Sequence, residues 1–374
     1  MKYFFLIFVS ILLVIPSLCL VGAKEDFVKL EGVERDVKPV AWNWADWLSR
    51  NFQKKNEEFF SKRFFLRKTY FKTKCQIYEW INLGLFHACG GIYGGGALYS
   101  RLYLAFHLKQ DPLGDCKDSP AVKALQRLSK ACRSSGIDFM LVFAPDKVQL
   151  CDDRPAWMRF MGPLTRMDVQ KQFVSIMHDA HVPAFNMLDY LPGEEEREAD
   201  YFPKGGIHWN AKLAALAVEH VFLQFNAQSD RYRINPCVGM SPCVKARYFD
   251  DDLAKLLNLW YNPYLAISNH VPVFANREFK PNSGSVLVFG DSFTWEMSRV
   301  MQDGGYFLPH RIVNCDNREV RKDELENLCT DLRACIVVWM PVNAWNVLKN
   351  GWNASRINFI CDYIEKKRKN VAVR

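Results

Sequence analysis

The chain has 374 residues, of which 49% are hydrophobic and 24% are charged, and its formal net charge is +8. This is the composition of a folded globular protein, so it excludes long disordered regions, and the length allows one large domain or two moderate ones. An anionic partner would suit the charge, but the basic residues do not form one block. A solvated basic surface is therefore the favoured interpretation, and we expect no nucleic-acid partner.

The N-terminus has the composition of an export signal. An uncharged run rich in Phe, Leu, Ile and Val extends from Tyr3 to Ala23, close to the roughly 20 residues that cross a bilayer. The small residues in Val21-Gly22-Ala23 are typical of a signal-peptidase cleavage site. Residues 1–23 are therefore either a cleaved signal peptide or, given the length of the run, a retained membrane anchor. In both cases we expect the chain from Lys24 onward to be exported.

Only Cys19 of the twelve cysteines lies within this segment. In an exported protein many of the others are expected to pair as disulfides, and the pairing that the sequence favours is a local bridge between Cys237 and Cys243. No two cysteines have the spacing of a zinc site, and His178 and His181 lack an evident third ligand. We therefore predict no metal and no cofactor.

Residues 24–86 are predicted to form an N-terminal helical segment, because aromatic residues from Trp42 to Phe71 recur at three- to five-residue intervals. Basic residues interleave with these aromatics, which would suit a membrane surface, but packing onto the following domain is the favoured interpretation. Five glycines then occur between Gly90 and Gly96. We predict a hairpin there instead of a phosphate-binding loop.

Alternating helices and strands in residues 87–374 predict an α/β fold. Ser119 as N-cap, Pro120 in the first turn and Gly136 at the end delimit a first helix. The other predicted helices cover about 167–178, 210–225, 294–301 and 357–368, and the predicted strands cover 137–143, 182–188, 286–289, 311–314 and 334–339. An irregular insertion, with a helical piece near 253–260, is expected at about 226–282.

One predicted strand-to-helix turn is suited to nucleophilic catalysis. Val286–Phe289 indicates a strand buried on both faces, Gly290 permits a sharp bend, and Ser292 then lies beside the first amides of a helix. Those amides favour developing negative charge, so Ser292 is a candidate nucleophile and its own N–H a candidate oxyanion donor. Gly-Asp-Ser taken alone is as consistent with a simple helix cap.

Three other positions are candidates for the same cleft. His208 precedes a helix that Asn210 would cap, which suits a general base. Lys147 and Asn343 each follow a predicted strand, where ligands bind in open α/β sheets, so both are candidate oxyanion or substrate-binding residues. The alternatives are a structural histidine and a solvent-exposed lysine.

The order of these features resembles the AlgX/AlgJ family, SGNH-hydrolase-like proteins of bacterial alginate and exopolysaccharide O-acetylation. The resemblance extends from about Trp42 to Val347 and consists of short motifs in a shared order: Phe64-Phe65-Leu66-Arg67, a glycine-rich turn before Leu98-Tyr99, Pro145-Asp146-Lys147, His208-Trp209 and Gly290-Asp291-Ser292-Phe293. It implies a parallel sheet flanked by helices, with Ser292 as nucleophile and His208 as base. It also implies a periplasmic protein, a polysaccharide acceptor and a membrane-bound O-acyltransferase as acetyl donor.

One position departs from the family's pattern. The family has Asp-x-His-Trp, whereas this chain has Gly206-Ile207-His208-Trp209, so the aspartate that would orient the histidine is missing. Loss of such a carboxylate lowers turnover about 10⁴-fold in serine proteases. Asp189, Asp200 or a backbone carbonyl are the candidate replacements. We therefore expect an exopolysaccharide O-acetyltransferase, with a catalytically impaired polysaccharide-binding or assembly protein and an acetyl esterase as the alternatives.

Overall fold

The computed structural model describes residues 29–30, 43–45, 49, 51–63, 67–82, 92–94, 97–100, 118–150, 169–191, 201–243, 250–265, 269–316, 320–329, 335–340 and 354–372. The predictions for residues 1–23, for Asp200 and for Asn343 lie outside these residues. Within them, no helix combines the length and the apolar character that a membrane span requires.

The described helices are α1 (Asn51–Arg63), α2 (Arg67–Asn82), α3 (Pro120–Ser134), α4 (Lys147–Leu150), α5 (Val169–Asp179), α6 (Ala211–Ser229), α7 (Asp252–Leu256), α8 (Thr294–Asp303), α9 (Lys322–Cys329) and α10 (Ala354–Ala372). The described strands are β1 (Ile92–Gly94), β2 (Leu98–Ser100), β3 (Asp138–Phe143), β4 (Ala184–Asn186), β5 (Cys237–Cys243), β6 (Asn269–Phe274), β7 (Ser285–Gly290), β8 (Ile312–Asp316) and β9 (Cys335–Met340). Short 3₁₀ turns cover Met187–Tyr190 and Pro309–Arg311.

A five-stranded parallel sheet lies at the centre of the molecule, in the order β4-β3-β9-β7-β8. Strand β9 comes last in the chain but lies between β3 and β7, so that Val337 is paired with both Phe139 and Leu287. Parallel strands cannot be joined by tight turns, and the segments between these strands contain the helices.

Both faces of this sheet are covered by helices. Successive strand residues point to opposite sides, and β3 and β7 have buried apolar residues on both sides. Leu141 of β3 and Leu287 of β7 pack with α3, α5 and α10 on one face. Val142 and Val288, each one residue further on, pack with α6 and α8 on the other face. The resulting layers of helix, sheet and helix confirm the predicted α/β class.

Local capping signals set helix boundaries as predicted. The Ser119 hydroxyl accepts the Val122 N–H at 3.2 Å, and Gly136 follows α3 with a φ of +70°. The Asn210 side chain accepts the Leu213 N–H at 3.0 Å at the start of α6. These side chains satisfy amides that the first turn of a helix leaves without a partner.

Two antiparallel strand pairs lie outside the central sheet. Strands β1 and β2 form the hairpin predicted for the glycine cluster. In the insertion, β5 pairs with β6, and α7 lies between them in sequence. The predicted Cys237–Cys243 bridge is wrong, because these residues are at opposite ends of β5 and hence about 20 Å apart, whereas a disulfide requires less than about 7 Å.

Candidate active site

Ser292 lies in the turn between β7 and α8. Strand β7 ends at Gly290, whose φ of +155° is in the region that favours glycine, and α8 begins at Thr294. The Asp291 carboxylate accepts the Phe293 N–H at 3.1 Å, and the Asp291 carbonyl accepts the Thr294 N–H at 3.1 Å. These hydrogen bonds within the turn fix its backbone. The Ser292 side chain is partly exposed.

The structure brings Ser292 and His208 together from positions 84 residues apart. The distance between Ser292 Oγ and His208 Nε2 is 2.7 Å, so the hydroxyl can donate its proton to the ring. His208 is 8% exposed and lies just before α6.

Asp252, the first residue of α7, contacts the other ring nitrogen. Its Oδ2 lies 2.6 Å from His208 Nδ1, and its Oδ1 accepts the N–H groups of Ile207 and Leu253, both at 2.8 Å. Both carboxylate oxygens are thus fixed. The ring nitrogen that contacts the carboxylate must carry the proton, which leaves Nε2 as the acceptor.

Asp252 makes the contact that we predicted for Asp189 or Asp200. Asp189 lies with its side chain exposed in the 3₁₀ turn after β4. Asp252 was not predicted as a site residue, because it lies in the irregular insertion. The available signal was the acidic run Asp250-Asp251-Asp252 directly before the predicted helical piece, which is where a carboxylate would bind helix amides.

Lys147 has a structural position, and its predicted role in substrate binding is corrected. Its side chain is buried, at 2% exposure. The ammonium donates to the carbonyl oxygens of Pro203, Lys204 and Gly206 at 2.5, 2.9 and 2.9 Å. An ammonium has three protons, so these bonds account for all of them. Lys147 therefore holds the loop before His208 through its three ammonium protons.

The same loop is bound from two further directions. The Leu98 N–H of β2 donates to the Lys204 carbonyl at 2.8 Å, and the Ala254 N–H of α7 donates to the Gly205 carbonyl at 2.8 Å. A Cβ at Gly205 would lie 2.2 Å from the Tyr264 carbonyl oxygen. Only glycine fits at this position, and the close approach brings α7, with Asp252, next to His208.

Trp209 connects the histidine and the serine segments. Its indole N–H donates to the Phe293 carbonyl at 3.2 Å, and it is 1% exposed. The Phe293 ring lies 5.0 Å from the His208 ring and 5.7 Å from the Trp209 ring, between centroids. A buried tryptophan needs an acceptor for its N–H, and here that acceptor is the residue next to Ser292.

Helix α2 supports the segment that follows α7. Gln76 accepts the Tyr261 N–H at 2.8 Å, and Glu79 accepts the Tyr264 hydroxyl at 3.3 Å. Burial raises the pKa of the Glu79 carboxyl, and burial together with Glu79 raises the pKa of Tyr264 to about 12. Since Tyr264 also contacts Gly205, α2 is connected to the loop that carries His208.

A second carboxylate near the site has a perturbed pKa. Burial, and then the charges of Asp251 and Asp252, raise the pKa of Asp250 to about 6, while His270 and Lys255 act in the opposite direction. Asp250 thus changes charge in a mildly acidic range.

The described residues contain no group of three His, Cys, Asp or Glu side chains placed to hold a metal ion. What they do contain is a serine hydroxyl, an imidazole and a carboxylate in series. This arrangement can remove the hydroxyl proton as the oxygen attacks a carbonyl carbon, and can stabilise the imidazolium that forms.

Several solved structures are similar to this chain. The O-acetyltransferase domain of Pseudomonas putida AlgJ has a TM-score of 0.45 and 16% identity, with 73% of this chain and 99% of that chain covered. Pseudomonas aeruginosa AlgX has a TM-score of 0.42 and 12% identity, with 66% and 61% covered. Bacillus cereus PatB1 with a sulfonyl adduct has a TM-score of 0.40 and 11% identity, with 68% and 95% covered. No protein-family model and no curated protein matches the sequence.

Proposed function

We propose that this protein is a serine-dependent O-acetyltransferase with an SGNH-like fold, and that it acetylates an exported polysaccharide. The observation that carries the proposal is the series of two hydrogen bonds from Ser292 Oγ through the His208 ring to Asp252, at 2.7 and 2.6 Å. A serine hydroxyl is a poor nucleophile unless a base lies within hydrogen-bond reach, and here the base is itself oriented by a carboxylate.

In the first step, Ser292 Oγ attacks the carbonyl carbon of an acetyl donor while His208 Nε2 takes the hydroxyl proton. The tetrahedral intermediate collapses as the bond to the donor oxygen breaks, and His208 returns the proton to that oxygen. An acceptor hydroxyl then gives its proton to His208 and attacks the acetyl-serine. The ester forms on the acceptor, and Ser292 recovers its proton.

We assign the oxyanion donor to the Ser292 N–H. The amides of Phe293, Thr294 and Trp295 donate to oxygens within the turn, at 3.1, 3.1 and 3.2 Å. Among the described residues, no acceptor binds the Ser292 N–H. It lies at the end of a parallel strand and before a helix, where negative charge is stabilised.

The role of Asp252 weakens the alternative of a catalytically impaired assembly protein. That alternative rested on Gly206, which stands where the family has its orienting aspartate. Because Asp252 contacts His208 Nδ1, the chain does not lack an orienting carboxylate. An acetyl esterase is the remaining alternative, since transfer and hydrolysis share the acetyl-serine and differ in whether water or a hydroxyl of the acceptor attacks it.

The cellular setting is part of the proposal. The apolar run from Tyr3 to Ala23 supports export to the periplasm, with that run as a signal peptide or an inner-membrane anchor. A membrane-bound O-acyltransferase would supply the acetyl group, as the family resemblance implies.

The test is a partition experiment. The protein is given a chromogenic acetyl ester with and without oligosaccharide acceptors, and the release of chromophore, acetate and acetylated sugar is measured. A transferase produces acetylated sugar at the expense of acetate, and Ser292→Ala produces neither. If acetate is the only acetyl product with every acceptor tested, the result supports an esterase. Turnover that is unchanged by Ser292→Ala contradicts both.

A further inference from the structure

An exposed apolar surface lies beside the candidate active site. We define the aromatic patch as Ile77 and Trp80 of α2 with Trp260 and Tyr261 of the segment after α7. These side chains are 44%, 65%, 51% and 72% exposed. The two parts are joined at the surface, because the Trp260 indole N–H donates to the Thr73 hydroxyl at 3.1 Å and the Tyr261 N–H donates to Gln76 at 2.8 Å.

Helix α2 packs Phe71 and Cys75 against Leu98 and Leu253, as a globular helix does, but it also leaves large apolar side chains exposed. The polar side chains of Gln76 and Glu79 are 3% and 8% exposed and face the protein, while Tyr70, Ile77 and Trp80 face solvent. A surface helix normally buries its apolar stripe and exposes its polar one. Isolated exposed apolar residues are ordinary, but a group of large ones marks an interaction surface.

Basic residues of α2 lie next to this patch. Helix α2 contains Arg67, Lys68, Lys72 and Lys74, and its one acidic residue is Glu79. The Lys72 ammonium lies 5.2 Å from the centre of the Trp260 ring, and that of Lys74 lies 5.6 Å from the Tyr78 ring. The segment from Leu256 to Leu265 has no charged residue at all. The patch is therefore complementary to an apolar surface that carries negative charge.

Exposed aliphatic side chains favour a membrane over a polysaccharide as the partner of this surface. Sugar rings stack on aromatic faces, but Ile77, Leu256 and Leu265 are also exposed, at 44%, 41% and 42%. Tryptophan, tyrosine and leucine beside lysine and arginine are the residues of a membrane–water interface. The same chain has an apolar run of about bilayer length from Tyr3 to Ala23, which would bring a bilayer close.

We propose that the aromatic patch rests on an anionic phospholipid surface. It is a contact of the folded body, separate from residues 1–23, and it does not depend on the proposed catalysis. Asp252 is the first residue of α7, and Asn262 of the patch segment donates to the Ala254 carbonyl at 2.6 Å. A membrane contact at Trp260 and Tyr261 would therefore hold the Ser292–His208–Asp252 site near the lipid headgroups.

The test is side-chain oxidation by hydroxyl radicals, read by mass spectrometry. The full chain is compared on vesicles of phosphatidylcholine alone and on vesicles with phosphatidylglycerol. Anionic vesicles should slow the oxidation of Trp80, Trp260 and Tyr261 by about threefold or more, since interfacial aromatics lose water. Phe359 of α10, which is 44% exposed, serves as the internal reference and should not change.

Charge-reversal variants distinguish membrane contact by the patch from membrane contact by residues 1–23, because every variant keeps residues 1–23 unchanged. Lys72→Glu with Lys74→Glu should abolish the protection, because each lysine near an anionic surface contributes several-fold in affinity. The matched control, Lys366→Glu with Lys369→Glu, makes the same change in exposed residues of α10 and should keep it. Should the lysine variant fold poorly by its thermal midpoint, Ile77→Ser with Trp80→Ser replaces it. The proposal is overturned if the patch residues are oxidised equally on both vesicle types. It is also overturned if a soluble anionic polysaccharide protects them and vesicles do not.

Discussion

Asp252 and His208 are 44 positions apart in the chain, yet their side chains are joined by a hydrogen bond of 2.6 Å. The carboxylate comes from the insertion between α6 and β7, and the histidine comes from the loop before α6. An acid supplied from a separate segment can perform the same task as one two residues before the histidine, because the task depends on geometry and not on order in the chain.

The first prediction concerns Asp252. Asp252→Asn should lower kcat for acetyl-ester hydrolysis by about 10³- to 10⁴-fold with little change in KM, because the amide favours the wrong ring tautomer. Steady-state kinetics measures both constants. Asp189→Asn is the matched control and should retain wild-type turnover. Wild-type kcat in Asp252→Asn would show that another group orients His208.

The second prediction concerns the buried lysine. Lys147→Met should lower the free energy of unfolding by about 2–4 kcal/mol, because three hydrogen bonds from a buried ammonium to carbonyl oxygens are lost, and turnover should fall as the loop before His208 moves. Urea unfolding and ester hydrolysis are the measurements. Lys204→Met, in an exposed side chain of the same loop, should change neither. A Lys147→Met protein as stable and active as wild type would contradict the assigned role.

The candidate nucleophile, Ser292, and the candidate base, His208, could be singled out from the sequence because their signals are local. Ser292 follows a glycine-bounded apolar strand at once, and His208 immediately precedes a segment whose cap and apolar face mark a helix. The alternation of helices and strands indicated the α/β class for the same reason. Each signal is contained within about ten residues of sequence, where backbone preference and burial act together.

Asp252 and the position of β9 could not be predicted in this way. The insertion shows no hydrophobic period, and what brings Asp252 to His208 is the contact of Gly205 with Tyr264 and Ala254. That contact is tertiary, as is the placement of β9 between β3 and β7. The role of Lys147 was mistaken because a strand-end lysine can face either the cleft or a loop, and only the folded chain distinguishes them.

The third prediction uses two glycines that differ in their surroundings. A Cβ at Gly205 would lie 2.2 Å from the Tyr264 carbonyl oxygen, whereas one at Gly239 would meet nothing within 4 Å. Gly205→Ala should therefore cost about 1–3 kcal/mol of stability and reduce turnover, because α7 must move away from His208. Gly239→Ala should leave turnover intact. If Gly205→Ala and Gly239→Ala had equal effects on thermal unfolding and on turnover, the close contact at Gly205 would not be needed to position α7.

The fourth prediction is a pH dependence of stability at Asp250. Its folded pKa of about 6 lies above the ordinary value of 3.8, so the folded protein retains a proton that the unfolded chain loses first. The contribution of this group is thus most favourable below pH 4 and is lost as the pH rises to about 6. Asp250→Asn cannot ionise and should be more stable than wild type at pH 7 by about 1–3 kcal/mol.

This gain should disappear below pH 4, where Asp250 is protonated in both states. Urea unfolding at several pH values measures it, with the exposed Asp189→Asn as the control. A gain that is the same at pH 4 and pH 7 would mean that the change acts through packing instead of through the charge.

The role of Ser292 as nucleophile is tested most directly by peptide mass spectrometry after brief exposure of the protein to an activated acetyl ester. We expect one acetyl group on the peptide that contains Ser292, none there in Ser292→Ala, and a much slower appearance in His208→Ala. An unmodified Ser292 in the wild-type protein, or acetylation at the same rate without His208, would contradict it.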